Sequence, residues 1–326
     1  LGKAPLVFAG EARGSGDQLL GFLRDSPLGN SIREQLTGMQ LSGTHGVSVR
    51  AAVPLRPGEQ AEVEGEVRLE RGSYSVPRWG LQLDALEGTV RFTERGLAAE
   101  QVTARYRGLP AVLSAQTTGG GADERIAILA QLQAAPRQLL DGLASPWLHG
   151  RTDWEVQLLL PGFQAPRPAG TPAVELRVAS QLEGIVVELP APLGKSAAEA
   201  RALRLSVPFA ASGPGPVRLA YGDEVRALLG LATDGMAVAR AGIVLGAGEP
   251  VLPREGVVVR GALESLDLSG WRLPAGGAVT AGGSLSLTLA DVHIGRLQVM
   301  GQTFADTTVR VQPDSGGWVV GLEGPD

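Results

Sequence analysis

The chain has 326 residues, of which 29 are Lys or Arg and 34 are Asp or Glu, and the net charge of −5 without a basic run argues against nucleic acid as a partner. The absence of cysteine excludes a disulfide framework and a thiolate metal site. Aromatic residues make up only 4% of the chain, whereas 46 Gly and 22 Pro are spread along it, a composition typical of many short strands separated by turns.

The first predicted element is a helix over Asp17–Leu36, in which Ile32 and Leu36 lie four residues apart on one face. Gly43 then precedes a strand in which apolar and polar residues alternate, and the strand stops at Pro54. Alternation with a period of two is typical of a strand with one buried and one solvated face. This strand therefore predicts a sheet that has one apolar face.

The same alternation continues through the next four predicted strands. Glu62, Glu64 and Glu66, for example, alternate with Val63 and Val67, so the glutamates are predicted to contact water. The positions predicted to share the apolar face in this part of the chain are Val47, Val49, Val53, Val63, Val67, Leu69, Leu81, Leu83, Val90, Phe92 and Val102.

The segment Pro27–Pro54 recurs as Ala134–Pro161 at an offset of 107 residues. Each copy has a helical stretch, a glycine and an alternating strand that ends at proline, and the second helix is predicted over Arg137–Ala144. A repeat of this length, built mostly from strands, predicts a sheet that grows by the addition of similar panels. Within one elongated segment, 1–326, we assign panels to residues 17–133, 134–258 and 259–326.

The strands of the second and third panels alternate in the same way, and a helical turn is predicted near Leu263–Trp271. The third panel has lost the spacing of helix, glycine, strand and proline. The positions predicted to share the apolar face in these panels are Val156, Leu158, Leu160, Val174, Leu176, Val178, Leu203, Leu205, Val207, Leu285, Leu287 and Leu289.

An antiparallel sheet with one apolar face must cover that face, and the predicted helices are too few to do so. A second sheet would give a β-sandwich, closure of the sheet would give a barrel, and a foreign apolar ligand would occupy a groove. The alternation alone leaves these three covers open.

Motifs for catalysis and metal binding are missing from the sequence. The three histidines, His45, His149 and His293, lie far apart and lack the spacing of metal ligands. No serine occupies a Gly-x-Ser-x-Gly elbow, and the glycine clusters lack the continuation that a phosphate-binding loop requires. We therefore predict no enzymatic activity, no cofactor and no metal site.

The chain begins at Leu1 without an initiator Met or a leader, and it contains no apolar run near the ~20 residues that span a bilayer. It is expected to be an internal section of a longer protein. An oxidising compartment is allowed by the absence of cysteine.

Several stretches resemble the AsmA-like superfamily, in particular its large YhdP-type members from the envelopes of Gram-negative bacteria. The run Leu-Pro-Ala-Pro-Leu-Gly-Lys at 189–195 is the most specific of them. The family has an amino-terminal membrane anchor that this chain lacks, so the resemblance is to an interior or carboxy-proximal section. The stretches that carry the resemblance are Leu86–Ala115, Leu189–Phe209, Val259–Trp271 and Ile294–Gly324.

This resemblance implies a mostly β fold: a long, curled antiparallel sheet that forms an apolar trough, with a few short helices. It implies a periplasmic location with an inner-membrane anchor in the full-length protein, and transfer of phospholipids between inner and outer membranes. The expected partners are phospholipid acyl chains and, through other parts of the protein, the two membranes.

Two other functions stay open as alternatives. One is a structural or adhesive envelope module whose β-sandwich or solenoid core is filled by its own side chains. The other is a carbohydrate-active β-protein that uses the acidic cluster Glu62, Glu64 and Glu66 on an exposed strand face.

Overall fold

A computed structural model describes residues 5–25, 38–55, 61–77, 80–139, 147–163, 174–210, 213–232, 237–269, 286–314 and 317–324 of the chain. The protein is mostly β with few short helices, which confirms the predicted fold class. Of the described strands, 19 belong to one hydrogen-bonded sheet, and two form a separate ribbon. The chain divides into two compact units.

The first unit comprises Leu1–Gln133 and Glu155–Val174. Short turns join several of its strands. Gly108 and Gly119, which follow the ends of strands, adopt the positive φ that such tight turns require. The elements of its first segment are β1 (Leu6–Ser15), α1 (Gly16–Asp25), β2 (Gln40–Leu41), β3 (Thr44–Val53), β4 (Glu62–Val76), β5 (Leu81–Thr93), β6 (Gly96–Tyr106), β7 (Leu109–Thr118), a 3-10 turn (Gly121–Asp123) and β8 (Arg125–Ala134).

The second unit comprises Ala134–Trp154 and Glu175–Asp326, and strands β8, β10 and β11 have residues in both units. The remaining elements of the chain are α2 (Pro136–Leu139), β9 (Leu148–Gly150), β10 (Thr152–Pro161), β11 (Val174–Ser180), β12 (Ile185–Val187), β13 (Leu203–Ala210), β14 (Gly213–Pro214), β15 (Val217–Tyr221), β16 (Val225–Leu231), β17 (Val238–Leu245), β18 (Gly256–Asp267), β19 (Leu287–Val299), β20 (Gln302–Asp314) and β21 (Gly317–Glu323).

The sheet is mixed, which differs from the fully antiparallel arrangement expected from the sequence. Most strand pairs are antiparallel, but β17 pairs with β18 and β18 pairs with β19 in parallel. A parallel pair needs a connection that crosses from one end of the sheet to the other. Residues 246–255 make the first of these crossings, and the second falls mostly outside the described residues.

The helix predictions are confirmed in part. Helix α1 covers the start of the predicted helix Asp17–Leu36, and α2 the start of Arg137–Ala144; the remainders lie outside the described residues. The turn predicted near Leu263–Trp271 is wrong for its described part, which lies in strand β18 up to Asp267. Leu263 and Leu266 have helical spacing, but they pair with β19 residues, Ile294 and Leu297, that are also three apart.

The two copies of the sequence repeat adopt the same local arrangement. In the first copy, β2 and β3 form one bent strand along β4, and the bend is at Gly43, where φ is +93°. A Cβ on Gly43 would lie 2.8 Å from the Cα of Gly72 on β4, so both positions favour glycine. His45, which is buried beside this bend, places its Nε2 2.9 Å from the carbonyl oxygen of Ser42.

The second copy bends in the same way at Gly150, between β9 and β10, where φ is +110°. A Cβ on Gly150 would collide with the carbonyl oxygen of Gly184, which lies just before β12. Thr152, the equivalent of His45 in the repeat, is buried and lies 3.1 Å from the hydroxyl of Ser180. The shared glycine bend gives the sequence repeat a structural basis. The division into three panels stays a prediction.

Candidate functional site: the apolar face of the sheet

In the first unit, the strand register places the predicted apolar residues side by side. Val47 on β3 pairs with Val67 on β4, which pairs with Val90 on β5. Two residues further along β3, Val49 pairs with Gly65 on β4, which pairs with Phe92 on β5. The Phe92 ring covers Gly65, where any Cβ would collide with it. The alternation read from the sequence therefore describes one real face.

This apolar face is partly covered by its own side chains. Helix α1 contributes Leu19 and Leu20, which pack in the same buried cluster. The predicted positions that are buried in the cluster are Val63, Val67, Leu69, Phe92 and Val102. Those that pack against it while keeping part of their surface exposed are Val47, Val49, Leu83 and Val90. Part of this face is thus a buried core, and part is an apolar surface that stays partly exposed.

Two predicted positions of the first unit lie apart from this cluster. Val53 is 37% exposed at the end of β3. Leu81 pairs with the fully buried Val76 at the far end of β4.

Strands β10 and β11 retain the predicted alternation less clearly. The predicted positions are partly exposed at Val156, Leu158, Val174 and Leu176, and buried at Leu160 and Val178. Leu159, between two predicted positions, is also partly exposed, since this stretch is apolar on both faces. Trp154 is buried and donates its indole N–H to the carbonyl oxygen of Ala134, 3.1 Å away.

In the second unit, apolar residues form two rows that run across the strands. Each row takes one residue from each of eight strands, β13, β15, β16, β17, β18, β19, β20 and β21. The first row is Leu205, Leu219, Ala227, Ile243, Val259, Ala290, Val311 and Val320. The second row is Leu203, Tyr221, Val225, Leu245, Gly261, Val292, Val309 and Leu322.

Most side chains in these rows are partly exposed. Only Ala227 and Val292 are buried, and Val320 and Leu322 on β21 are exposed. Val207, predicted to continue the face along β13, is buried. The second unit therefore presents a continuous apolar surface that its own side chains leave partly uncovered.

The predicted positions on β19 do not share one face. A register shift pairs Leu287 with Val257 and Leu289 with Val258, and these two neighbouring valines point to opposite faces of β18. Leu289 consequently lies opposite the apolar rows, whereas Ala290 joins them. Leu285 lies outside the described residues.

Sequence reasoning missed most of the row positions between β16 and β18. Strands such as Val225–Leu231 and Val238–Leu245 carry apolar residues on both faces, which hides the alternation. The strands themselves could have been recognised from the sequence, because a short apolar stretch bounded by glycine-containing turns is typical of a strand that is buried on both faces.

The opposite face of the first unit is charged and ion-paired. Arg50 lies 4.0 Å from Glu64, and Arg91 lies 3.7 Å from Glu66. An open depression with a volume of about 620 Å³ lies over these residues, and it also includes Glu11. Its carboxylates face arginines and solvent, as predicted for a water-facing strand surface, which does not favour the carbohydrate-active alternative.

The Leu-Pro-Ala-Pro-Leu-Gly-Lys run forms a tightly bound segment next to the second apolar row. The Lys195 ammonium is buried and donates to the carbonyl oxygens of Leu182, Ile185 and Ser196, at 2.9, 2.5 and 2.7 Å. Burial lowers the pKa of Lys195, because it removes water from the charged form. The most specific part of the sequence resemblance thus has a structural role, since Lys195 holds the surrounding backbone in place.

Tyr221 joins this segment to the sheet. Its hydroxyl donates to the carbonyl oxygen of Leu193, 2.9 Å away, and the guanidinium of Arg201 lies 5.2 Å from its ring centre. Burial raises the pKa of Tyr221 above its ordinary value, and the nearby Arg201 partly opposes that shift. The segment therefore borders the apolar surface at one end of the second row.

Within the described ranges, no cluster of His, Cys, Asp and Glu could hold a metal ion. In the same residues, no helix has the length and apolar character needed to cross a membrane.

Known proteins similar to this chain point to one family. A match to the intermembrane phospholipid transporter YhdP of Escherichia coli (strain K12) is 25% identical over 207 residues, which cover 63% of this chain and 16% of the relative. The matched region is thus a small part of that relative's length. No solved structure matches the chain. The model of the YhdP protein family matches residues 1–326 in full, and the chain therefore belongs to that family.

Proposed function

We propose that the chain is a segment of a periplasmic bridge that carries phospholipids between the inner and outer membranes along the apolar face of its sheet. The observation that carries this proposal is the pair of partly exposed apolar rows across eight strands of the second unit. The name of the curated relative, an intermembrane phospholipid transporter, supports the choice of ligand.

The hydrophobic effect is sufficient to hold an acyl chain on such rows. Each methylene that leaves water gains roughly 0.8 kcal/mol, so contact with several aliphatic side chains retains a lipid tail without directional bonds. The row residues are mostly Leu, Val, Ile and Ala, whose small side chains leave room above the sheet. The two tails of a phospholipid would lie on this surface, while the head group stays in water at the open side.

Movement along the sheet requires sites of similar affinity that follow one another closely. Neighbouring strands are about 4.8 Å apart, so each row offers an aliphatic contact at that interval. Because consecutive contacts are chemically alike, a tail that leaves one strand gains a similar contact on the next. Passage therefore needs no catalytic residue, and the proposal contains no enzymatic step, cofactor or metal.

The lipid-contacting residues in this proposal are the predicted positions on the apolar face together with the row positions missed by sequence reasoning. Leu289 is left out because it lies on the opposite face. The bridge would be curled into a trough and anchored to the inner membrane by parts of the full-length protein. The charged opposite face would then meet the periplasmic solvent. Nucleic acid has no place in this mechanism.

One observation favours the alternative of a self-filled structural module. Val63, Val67 and Phe92 are buried in the first unit by the chain's own side chains, as they would be in an ordinary protein core. That alternative predicts that the purified chain carries no phospholipid. The partly exposed rows of the second unit favour the transport function.

Photo-crosslinking from two adjacent residues of β13 tests the proposal. Leu205 lies in the first apolar row, and Arg204 points to the opposite face. With a benzophenone amino acid at position 205, irradiation of the chain in envelope extract should yield phospholipid adducts by mass spectrometry. The same probe at position 204 should yield few. Equal adducts at both positions, or none at position 205, would refute lipid binding on this face.

A further inference from the structure

We propose that the polar face of strands β13, β15 and β16 binds an extended acidic segment of a partner protein. Strands β13, β15, β16 and β17 each contain a single charged residue, and in every case it is an arginine. These residues are Arg204, Arg218, Arg226 and Arg240. A sheet face that meets only water ordinarily carries charges of both signs, so four arginines without an acidic residue indicate a partner that supplies the negative charge.

The strand register groups three of these arginines into one patch. Arg204 on β13 pairs with Ala220 on β15, which pairs with Arg226 on β16. Arg218 lies two residues from Ala220 on the same face, which makes it a diagonal neighbour of both other arginines, about 7–8 Å away. Arg204, Arg218 and Arg226 are hereafter called the arginine patch.

The arginine patch is available for binding. Arg204 and Arg218 are exposed, and in the part of the chain that the structure describes neither forms an ion pair. Arg226 donates to the carbonyl oxygen of Gly246, 3.1 Å away, which fixes its side chain without neutralising it. On the polar face of the first unit, by contrast, Arg50 and Arg91 have glutamate partners.

The crossover 246–255 forms a raised border on one side of the arginine patch. Its backbone at Val251 lies directly over Gly242, where a Cβ would collide with the Val251 carbonyl. Three charged residues, Glu249, Arg254 and Glu255, are exposed on this border, which is therefore net acidic. A broad anionic membrane would meet these carboxylates and the raised backbone before it reached the arginines. A narrow polypeptide can lie beside the border, which favours a peptide over a membrane.

Spacing and composition define the partner. Arg204 and Arg226 are two strands apart, a separation of about 9.6 Å. An extended chain in the polyproline II conformation rises about 3.1 Å per residue with three residues per turn, so every third side chain points to the same side. Carboxylates three residues apart therefore match the two arginines. Val251 is 74% exposed on the border and offers an apolar contact alongside. Arginine can bind each carboxylate through two parallel N–H donors, which makes the pairing selective.

This interaction does not depend on lipid transport, because it uses the face opposite the apolar rows. The probe is a fluorescein-labelled peptide of Gly and Ser with glutamate at every third residue, and its control replaces each glutamate by glutamine. Fluorescence anisotropy with the purified 326-residue chain in low salt should show saturable binding of the acidic peptide and none of the control. Binding should weaken as salt is raised.

Charge reversal locates the binding site. The double variant Arg204→Glu/Arg218→Glu should bind the acidic peptide at least about tenfold more weakly, because both charge-assisted contacts are lost. The matched variant Arg50→Glu/Arg91→Glu makes the same change in net charge on the first unit and should bind within about twofold of the wild type. Circular dichroism establishes that both variants are folded.

Three results would overturn the proposal. They are equal binding of the glutamine peptide, equal loss of binding in both double variants, and failure of the folded wild-type chain to bind the acidic peptide. Sedimentation with phosphatidylglycerol vesicles supplies the membrane comparison. Vesicle binding that requires Arg204 and Arg218, without peptide binding, would assign the patch to a lipid surface instead.

Discussion

The Nζ of Lys195 lies 2.5 Å from the carbonyl oxygen of Ile185, so a buried ammonium holds the segment that precedes β13 against strand β12. The same ammonium donates to two further carbonyl oxygens, which uses all three of its N–H groups. Its charge is thus fully engaged in a structural role rather than presented to a ligand.

Replacement of Lys195 by methionine should lower the free energy of unfolding by about 1–3 kcal/mol, because it leaves buried carbonyl oxygens without a donor. Chemical denaturation monitored by circular dichroism measures this change. Arg204→Met is the matched control, since Arg204 is exposed and should change stability by less than about 0.5 kcal/mol. Equal stability of the two variants would show that the Lys195 contacts contribute nothing.

Alkaline pH should weaken the contact between Tyr221 and the segment around Leu193. The pKa of Tyr221 is raised in the folded protein, so the folded state retains its proton longer than the unfolded chain. The stabilisation is complete below the ordinary tyrosine pKa of about 10 and is lost as pH rises through the folded value. Absorbance at 295 nm, as the difference between wild type and Tyr221→Phe, should report a tyrosine that titrates above about pH 10. A titration below that pH would contradict the burial effect.

Alanine at Gly150 should destabilise the second unit by about 2–4 kcal/mol, because a Cβ there collides with backbone and the φ of +110° is unfavourable for any L-residue. Gly10 on β1 offers a control, since a Cβ at that position meets no atom within 4 Å. Thermal unfolding of Gly150→Ala and Gly10→Ala should therefore give clearly different midpoints. Similar midpoints would mean that the bend relaxes freely around the methyl group.

Aspartate at Leu83 should reduce the phospholipid that co-purifies with the chain several-fold, because a carboxylate on the apolar face opposes burial of an acyl chain. Leu83 packs against the buried cluster of the first unit, whereas its neighbour Gln82 is exposed. Gln82→Asp should accordingly retain the lipid content of the wild type, measured by thin-layer chromatography of an organic extract. Circular dichroism separates lost binding from lost folding. If both variants keep the same lipid, this face does not hold it.

The sequence was informative wherever one face of a strand is charged. Val67 and Val90 lie on strands whose opposite face carries charged residues, namely Glu64 and Glu66 on one strand and Arg91 on the other. The structure places Val47, Val67 and Val90 side by side on three neighbouring strands. In β16 and β17 the alternation fails, because Leu228 and Val244 are apolar on the opposite face as well. Only the register with neighbouring strands shows which residues lie on which side.

The parallel pairs also could not be predicted from local pattern. Ile243 and Val259 have the same alternation in parallel or antiparallel pairing, and the choice depends on the path of the crossover 246–255. On β19 the extra residue between Leu287 and Leu289 changes the face within one strand. A two-residue period contains no information about such an insertion.

The glycine bends at Gly43 and Gly150 make the protein sensitive to whether residues are lost in odd or even numbers from the strand that follows each bend. A deletion of one residue from β10 would turn every following side chain of that strand to the opposite face, whereas a deletion of two would restore each to its own. Because Gly150 must remain against Gly184, the strand cannot slip to compensate. Length variation within these strands is therefore tolerated only in even steps.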